Sequence, residues 1–147
     1  MTSAPTSYRV TGRTTSPGQA QLAAGDQTVT MDASWAQGPT GLPGPADLLA
    51  SAFAACLLKN VQRASQLLPF RYQHAEVDVE ARRQDSPPRF IEISYELRIA
   101  TDEPERRVDL LHHNLRQYGT IYNTLAAVCQ VHGTVVVSPF DPTAPLR

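Results

Sequence analysis

Cysteine is scarce in this sequence: 147 residues contain two, Cys56 and Cys129. The opening residues, Met1 to Arg9, lack the apolar block of a secretory signal. Two cysteines in a chain of this length, with no export signal, do not make a disulfide framework, and they are expected as free thiols in a cytoplasmic protein. Charge of one sign is missing too. Thirteen basic residues face 14 acidic ones for a net charge of -1, and no stretch clusters Lys and Arg with aromatic residues. There is thus no electrostatic footprint for a phosphate backbone, and nucleic acid is not an expected partner. The most apolar segment, Ala46 to Leu58, is interrupted by Asp47 and ended by Lys59. It falls well short of the ~20 apolar residues that span a bilayer, so no membrane helix is expected.

Histidines are few and poorly spaced for a metal. His112 and His113 are adjacent, so on a helix they point in different directions; His74 lies on a candidate strand, and His132 has only Cys129 nearby. None forms the i, i+4 pair of a helical metal site. No Gly-rich phosphate loop, Gly-x-Ser-x-Gly elbow or paired catalytic carboxylate motif occurs. Neither a metal nor an organic cofactor is expected.

What is present fits one soluble domain over residues 1–147, with 41% hydrophobic and 18% charged residues. A chain this long can bury roughly 70% of its unfolded surface in one core. Short β-like stretches cover Tyr8 to Gly12, Gln19 to Ala23 and Gln27 to Met31, the last two facing each other across Gly25-Asp26. From Ala46 to Leu68 no Gly or Pro interrupts a run rich in Ala and Leu, with Pro45 at its start and Pro69 at its end. That is a long helix. Its first half is apolar on nearly every side, which predicts burial on every side and a second subunit against it. Tyr72 to Arg83 and Arg89 to Ile99 alternate apolar with charged residues and predict half-buried antiparallel strands joined through Asp85-Ser86-Pro87-Pro88. A helix capped by Thr101 or Asp102 and running to Gln117, a short helical piece from Ile121 to Val128 and a strand from Val131 to Val137 complete an α+β order.

Cys56 lies mid-helix, with Lys59, Asn60 and Arg63 three, four and seven residues on. A cysteine reacts as its thiolate, and a thiol ionises near pH ~8.5 unless positive neighbours or a hydrogen-bond donor favour the anion. This neighbourhood permits a nucleophile. A small buried core residue is the competing reading, since free cysteine is among the most buried residue types. Asp47, at the start of the same helix, has a plain role as partner of the helix dipole.

The run Gly44-Pro45-Ala46-Asp47-Leu48-Leu49-Ala50-Ser51-Ala52-Phe53-Ala54-Ala55-Cys56 resembles the signature of the OsmC/Ohr family, in which a Pro-x-Glu-Leu-Leu opening leads a long helix to its reactive cysteine. Downstream, two alternating strands, a short helix, the segment Tyr118-Gly119-Thr120-Ile121-Tyr122-Asn123-Thr124-Leu125 and a Val-rich strand follow in the family's order. The resemblance covers residues 38 to 137. It implies an antiparallel sheet wrapped around a long central helix in an intertwined homodimer. It also implies reduction of organic hydroperoxides by the helix cysteine, here Cys56, assisted by an arginine from the N-terminal strands and an acidic residue near the helix start. Arg13 is the first candidate for that arginine and Arg9 the second, with Lys59 and Arg63 as substitutes. Asp47 takes the acidic position, although the family's glutamate aligns more nearly with Ala46.

One departure stands out. Where the resemblance places a resolving cysteine, usually in a Cys-Pro pair, this chain has Gly119 and Thr120. Cys129, ten residues later, is either a displaced resolver or a packed thiol at a helix end. The resemblance therefore leads to a thiol peroxidase whose oxidised Cys56 is regenerated by an external thiol. A degenerate dimer that binds a small hydrophobic ligand or senses oxidants without turnover is the alternative, and a structural dimer with Cys56 as packing is a third.

Overall fold

The computed structural model describes residues 3–35 and 38–147, and its backbone forms two compact units, one up to Leu48 and one from Leu49. In the first unit, β1 (Thr11–Ser16), β2 (Gln19–Ala24) and β3 (Gln27–Asp32) form an antiparallel sheet in the order β1-β2-β3. The β2–β3 turn is the expected one: Gly25 takes φ 59°, a left-handed conformation that glycine adopts without steric cost. The first strand lies further along than the expected Tyr8 to Gly12. Thr11 pairs with Ala23 and Ser16 with Gln19, so pairing with β2 carries the strand up to the turn at Gly18. Its residues Thr14, Thr15 and Ser16 are polar and all of β1 is exposed, which is why no apolar alternation marked them.

Helix α1 (Pro45–Leu67) matches its expected bounds almost to the residue. Gly44 precedes it, its carbonyl accepting the Leu48 N–H at 3.0 Å, and Asp47 in the first turn complements the positive end of the helix dipole. The expectation of burial on every side does not hold within the chain. Phe53, Leu57, Val61 and Ala64, spaced four, four and three residues apart, form the one buried stripe, while Ala52, Ala55 and Leu58 are exposed. A single sheet and two helices cover only one side of a helix this long.

In the second unit that stripe meets a sheet of β4 (Ala75–Asp85), β5 (Pro88–Ala100) and β6 (Gln130–Ser138), in the order β4-β5-β6. The inward residues Ile93, Tyr95, Leu97 and Ile99 of β5 are fully or nearly fully buried. Outward residues pair their charges: Arg98 reaches Glu76, Asp78 and Glu96, and Glu92 binds both Arg82 and His132. β4 and β5 are antiparallel, as their alternation predicts. β6, however, runs parallel to β5, so the sheet is mixed rather than antiparallel. The cause is connectivity: α2 (Glu105–Tyr118) and α3 (Thr120–Ala126) form a helical crossover that returns the chain to the starting end of β5.

Helix α2 also starts later than its expected cap. Pro104 stands at its N-cap with φ -68° and ψ 160°, and no side chain caps the helix. A proline disfavours helical geometry in the residue before it, so the helix cannot extend back through Glu103. Thr101 instead donates to the Arg71 carbonyl at 2.5 Å and accepts the Glu103 N–H at 3.0 Å, while Asp102 pairs with Arg71. Val108, Leu111 and Leu115 of α2 and Tyr122 and Leu125 of α3 close the core. At the β5–β6 pairing, a Cβ on Gly133 would lie 2.5 Å from the Tyr95 ring carbons and closer still to its carbonyl oxygen, so only glycine lets the strands meet there. Among the described residues no helix is long and apolar enough to cross a membrane.

Candidate functional site

Cys56 lies beside the buried stripe of α1, three residues after Phe53 and one before Leu57, and is therefore half-buried rather than sealed in the core. Its surroundings are built from three helices. One turn on in α1, the Asn60 side-chain amide donates to the Cys56 carbonyl at 2.8 Å and reaches the Cys56 sulfur at 3.5 Å. Opposite, the joint between α2 and α3 brings Gly119 against the thiol: a Cβ on Gly119 would be 3.5 Å from Cys56 Sγ. The same Cβ would be 2.9 Å from the Leu115 carbonyl oxygen and 3.0 Å from Tyr122 Cβ, so a side chain there requires the joint to give way. Gly119 has φ -77°, which any residue adopts; space, not backbone conformation, selects glycine here.

Beneath the thiol helix the core is aromatic. Phe53 lies 5.7 Å from the Tyr95 ring and 5.9 Å from that of Tyr122, and the Tyr95 hydroxyl is 2.7 Å from His112 Nε2. Burial pushes the Tyr95 hydroxyl up well beyond its ordinary range. Burial, with Arg116 adding to it and Asp109 opposing, pushes His112 down. Both effects favour neutral partners, with the tyrosine donating to an unprotonated Nε2.

The other candidates of the second unit make contacts of their own. Arg63 donates to Asn114 Oδ1 at 3.1 Å and stacks its guanidinium 4.7 Å above the Tyr118 ring, which commits it to α2. Lys59 is exposed. Cys129 follows α3, and its thiol donates to the Leu125 carbonyl at 3.3 Å while burial pushes its ionisation up. Those features are of a packed thiol at a helix end. Arg13 and Asp47 belong to the first unit, Cys56 to the second. Arg13 is exposed on β1 opposite Gln21, and Arg9 precedes that strand. Asp47 accepts the Gly44 N–H at 2.9 Å, the reciprocal half of a capping box. No group of three or more His, Cys, Asp or Glu among the described residues is placed to hold a metal ion.

Asn60 is legible in the sequence as the i, i+4 helical neighbour of Cys56, the offset that brings its amide to the sulfur. The Tyr95–His112 pair gave none, being set by how α2 packs on β5.

A family model described as OsmC-like protein matches residues 37–132. Among solved structures, an OsmC-like protein from Mycoplasma pneumoniae is similar with a TM-score of 0.80 at 19% identity, over 94% of this chain and 100% of that one. An organic hydroperoxide resistance protein OsmC from Legionella pneumophila gives 0.73 at 15% identity, over 90% and 100% of the two chains. An organic hydroperoxide resistance protein from Elizabethkingia anophelis gives 0.73 at 13% identity, over 92% and 100%. None of the curated protein sequences matches this one. The structural likenesses show a shared α+β fold, and the family match spans most of the chain, thiol helix and α2–α3 joint included: this chain belongs to the OsmC-like protein family.

Proposed function

We propose that this protein is a cytoplasmic thiol peroxidase that reduces small hydrophobic organic hydroperoxides through Cys56. The observation that carries the reading is a half-buried thiol with an amide donor 3.5 Å from its sulfur, on the family's long helix. The Cys56 thiolate attacks the terminal peroxide oxygen; an S–O bond forms, the O–O bond breaks, and its electron pair leaves on an alkoxide that takes a proton from water. Sulfur is oxidised by two electrons to a sulfenic acid, and the peroxide is reduced to an alcohol. An external thiol then condenses with the sulfenic acid, releasing water, and a second thiol frees Cys56 and leaves as a disulfide. In this reading the protein works as a homodimer, with Ala52, Ala55 and Leu58 of α1 covered by the partner; Arg13 favours the thiolate and the transition-state charge, and Asp47 orients it. Cumene hydroperoxide with dithiothreitol tests this directly. Peroxide should be consumed by the native chain and not by Cys56→Ser, and equal consumption by both would overturn the mechanism. A monomer by light scattering at micromolar concentration would overturn the homodimer.

Gly119 in place of a resolving cysteine favours a second reading, an oxidant sensor or binder of a small hydrophobic ligand without turnover. Oxidation of Cys56 by one equivalent of peroxide, with no further consumption when thiol is supplied, would select it.

A further inference from the structure

Asn60 stands one helical turn beyond Cys56, and its side-chain nitrogen makes two contacts with that one residue, 2.8 Å to the carbonyl oxygen and 3.5 Å to the sulfur. Chemistry fixes which way the amide faces. A carbonyl oxygen only accepts, so Oδ1 at 2.8 Å from it would be repelled, and the nitrogen must take that place. The amide carries two N–H groups, one for the carbonyl and one for sulfur. The first contact anchors the rotamer and so aims the second.

A hydrogen bond to the charged form of a group favours that form. The sulfur of a neutral thiol is a weak acceptor, whereas a thiolate is a strong one, so an N–H held against it selects the anion. The charged side chains of α1 nearby do less: Lys59 is exposed, and Arg63 is engaged by Asn114 and Tyr118. From the facing helices, the α2–α3 joint brings Gly119, which has no side chain to carry a charge, against the sulfur. We propose that Asn60 is a catalytic residue of the peroxide reduction, a neutral donor that holds the Cys56 sulfur as thiolate and fixes the direction of its lone pairs for attack. The assignment rests on the peroxidase reading for its reaction, but the thiolate it invokes is measurable without any peroxide.

The test is the pH profile of Cys56 alkylation by iodoacetamide in full-length Cys129→Ser protein, where one thiol remains. Asn60→Leu, close in shape and without N–H groups, should react about tenfold more slowly at pH 7, the low end of what a hydrogen bond to a charged acceptor contributes. Its profile should move to higher pH, with the rate at the alkaline plateau unchanged. Asn60→Ala serves as the second variant and should move the same way. A lowered plateau with an unmoved midpoint would mean that Asn60 only shapes access to the thiol, and it would overturn the proposal, as would profiles coincident with the parent. A protein that shows the shift yet leaves cumene hydroperoxide unreduced would refute the peroxidase reading while the hold of Asn60 on the thiolate stands.

Discussion

Replacing Gly119 with cysteine places a second thiol beside Cys56. The new Cβ would be 3.5 Å from Cys56 Sγ, within about 0.5 Å of the separation inside a disulfide. Reduced, the variant carries a cost: its Cβ presses on the Leu115 carbonyl at 2.9 Å and on Tyr122 Cβ at 3.0 Å, overpacking of the kind that costs about 1–3 kcal/mol. Oxidised, it closes a loop of about 64 residues, for which the chain-entropy argument gives about 4 kcal/mol. Comparing the two redox forms of one variant cancels the packing cost. For a domain of this size the difference corresponds to a Tm higher by about 10 °C in the oxidised form. The assay is thermal unfolding of Gly119→Cys in a Cys129→Ser background, before and after mild oxidation, with intact mass showing the loss of two hydrogens. Two thiols that both remain open to alkylation after oxidation, with no change in Tm, would refute the placement of the α2–α3 joint against Cys56.

Gly133→Ala should be among the most damaging small substitutions, because its methyl group overlaps the Tyr95 carbonyl and ring across the β5–β6 pairing; a loss of about 3 kcal/mol is expected in urea unfolding, and a loss under 1 kcal/mol would contradict the strand register. Burial first, then Arg116, depresses the His112 pKa, so the unfolded state binds the proton more readily: the contribution of neutral His112 is complete above about pH 6.5 and is lost as pH falls below it. His112→Gln should therefore flatten the decline of the urea midpoint between pH 7 and pH 5, and an unchanged decline would refute the assignment.

Much of this architecture is local and could be read along the chain. Pro45 and Pro69 bracket α1, and the alternation of Val77, Val79 and Ala81 with Glu76, Asp78 and Glu80 marks β4. The reactive-residue candidate was legible for the same reason, since Cys56 and Asn60 are neighbours on one helix. Direction in a sheet is not local. Val135 and Val137 suit either orientation, and only the helical crossover after β5 makes β6 parallel. The start of α2 is not legible in the same way, because Thr101 and Asp102 are good caps in isolation whereas Pro104 disfavours helical geometry at Glu103 and the helix begins after it. Nor does any pattern in sequence say that Gly119 faces the sulfur, since that depends on how α3 turns away from α2.

In the proposed reaction Cys56 attacks a hydroperoxide as a thiolate and, with Gly119 beside it, stops at a sulfenic acid that awaits an external thiol. One equivalent of cumene hydroperoxide followed by brief incubation and intact mass spectrometry tests it most directly. One added oxygen is expected, located on Cys56, removed by dithiothreitol and absent from Cys56→Ser. A loss of two hydrogens would make Cys129 the resolving partner, and an unchanged mass would contradict the peroxidase account altogether.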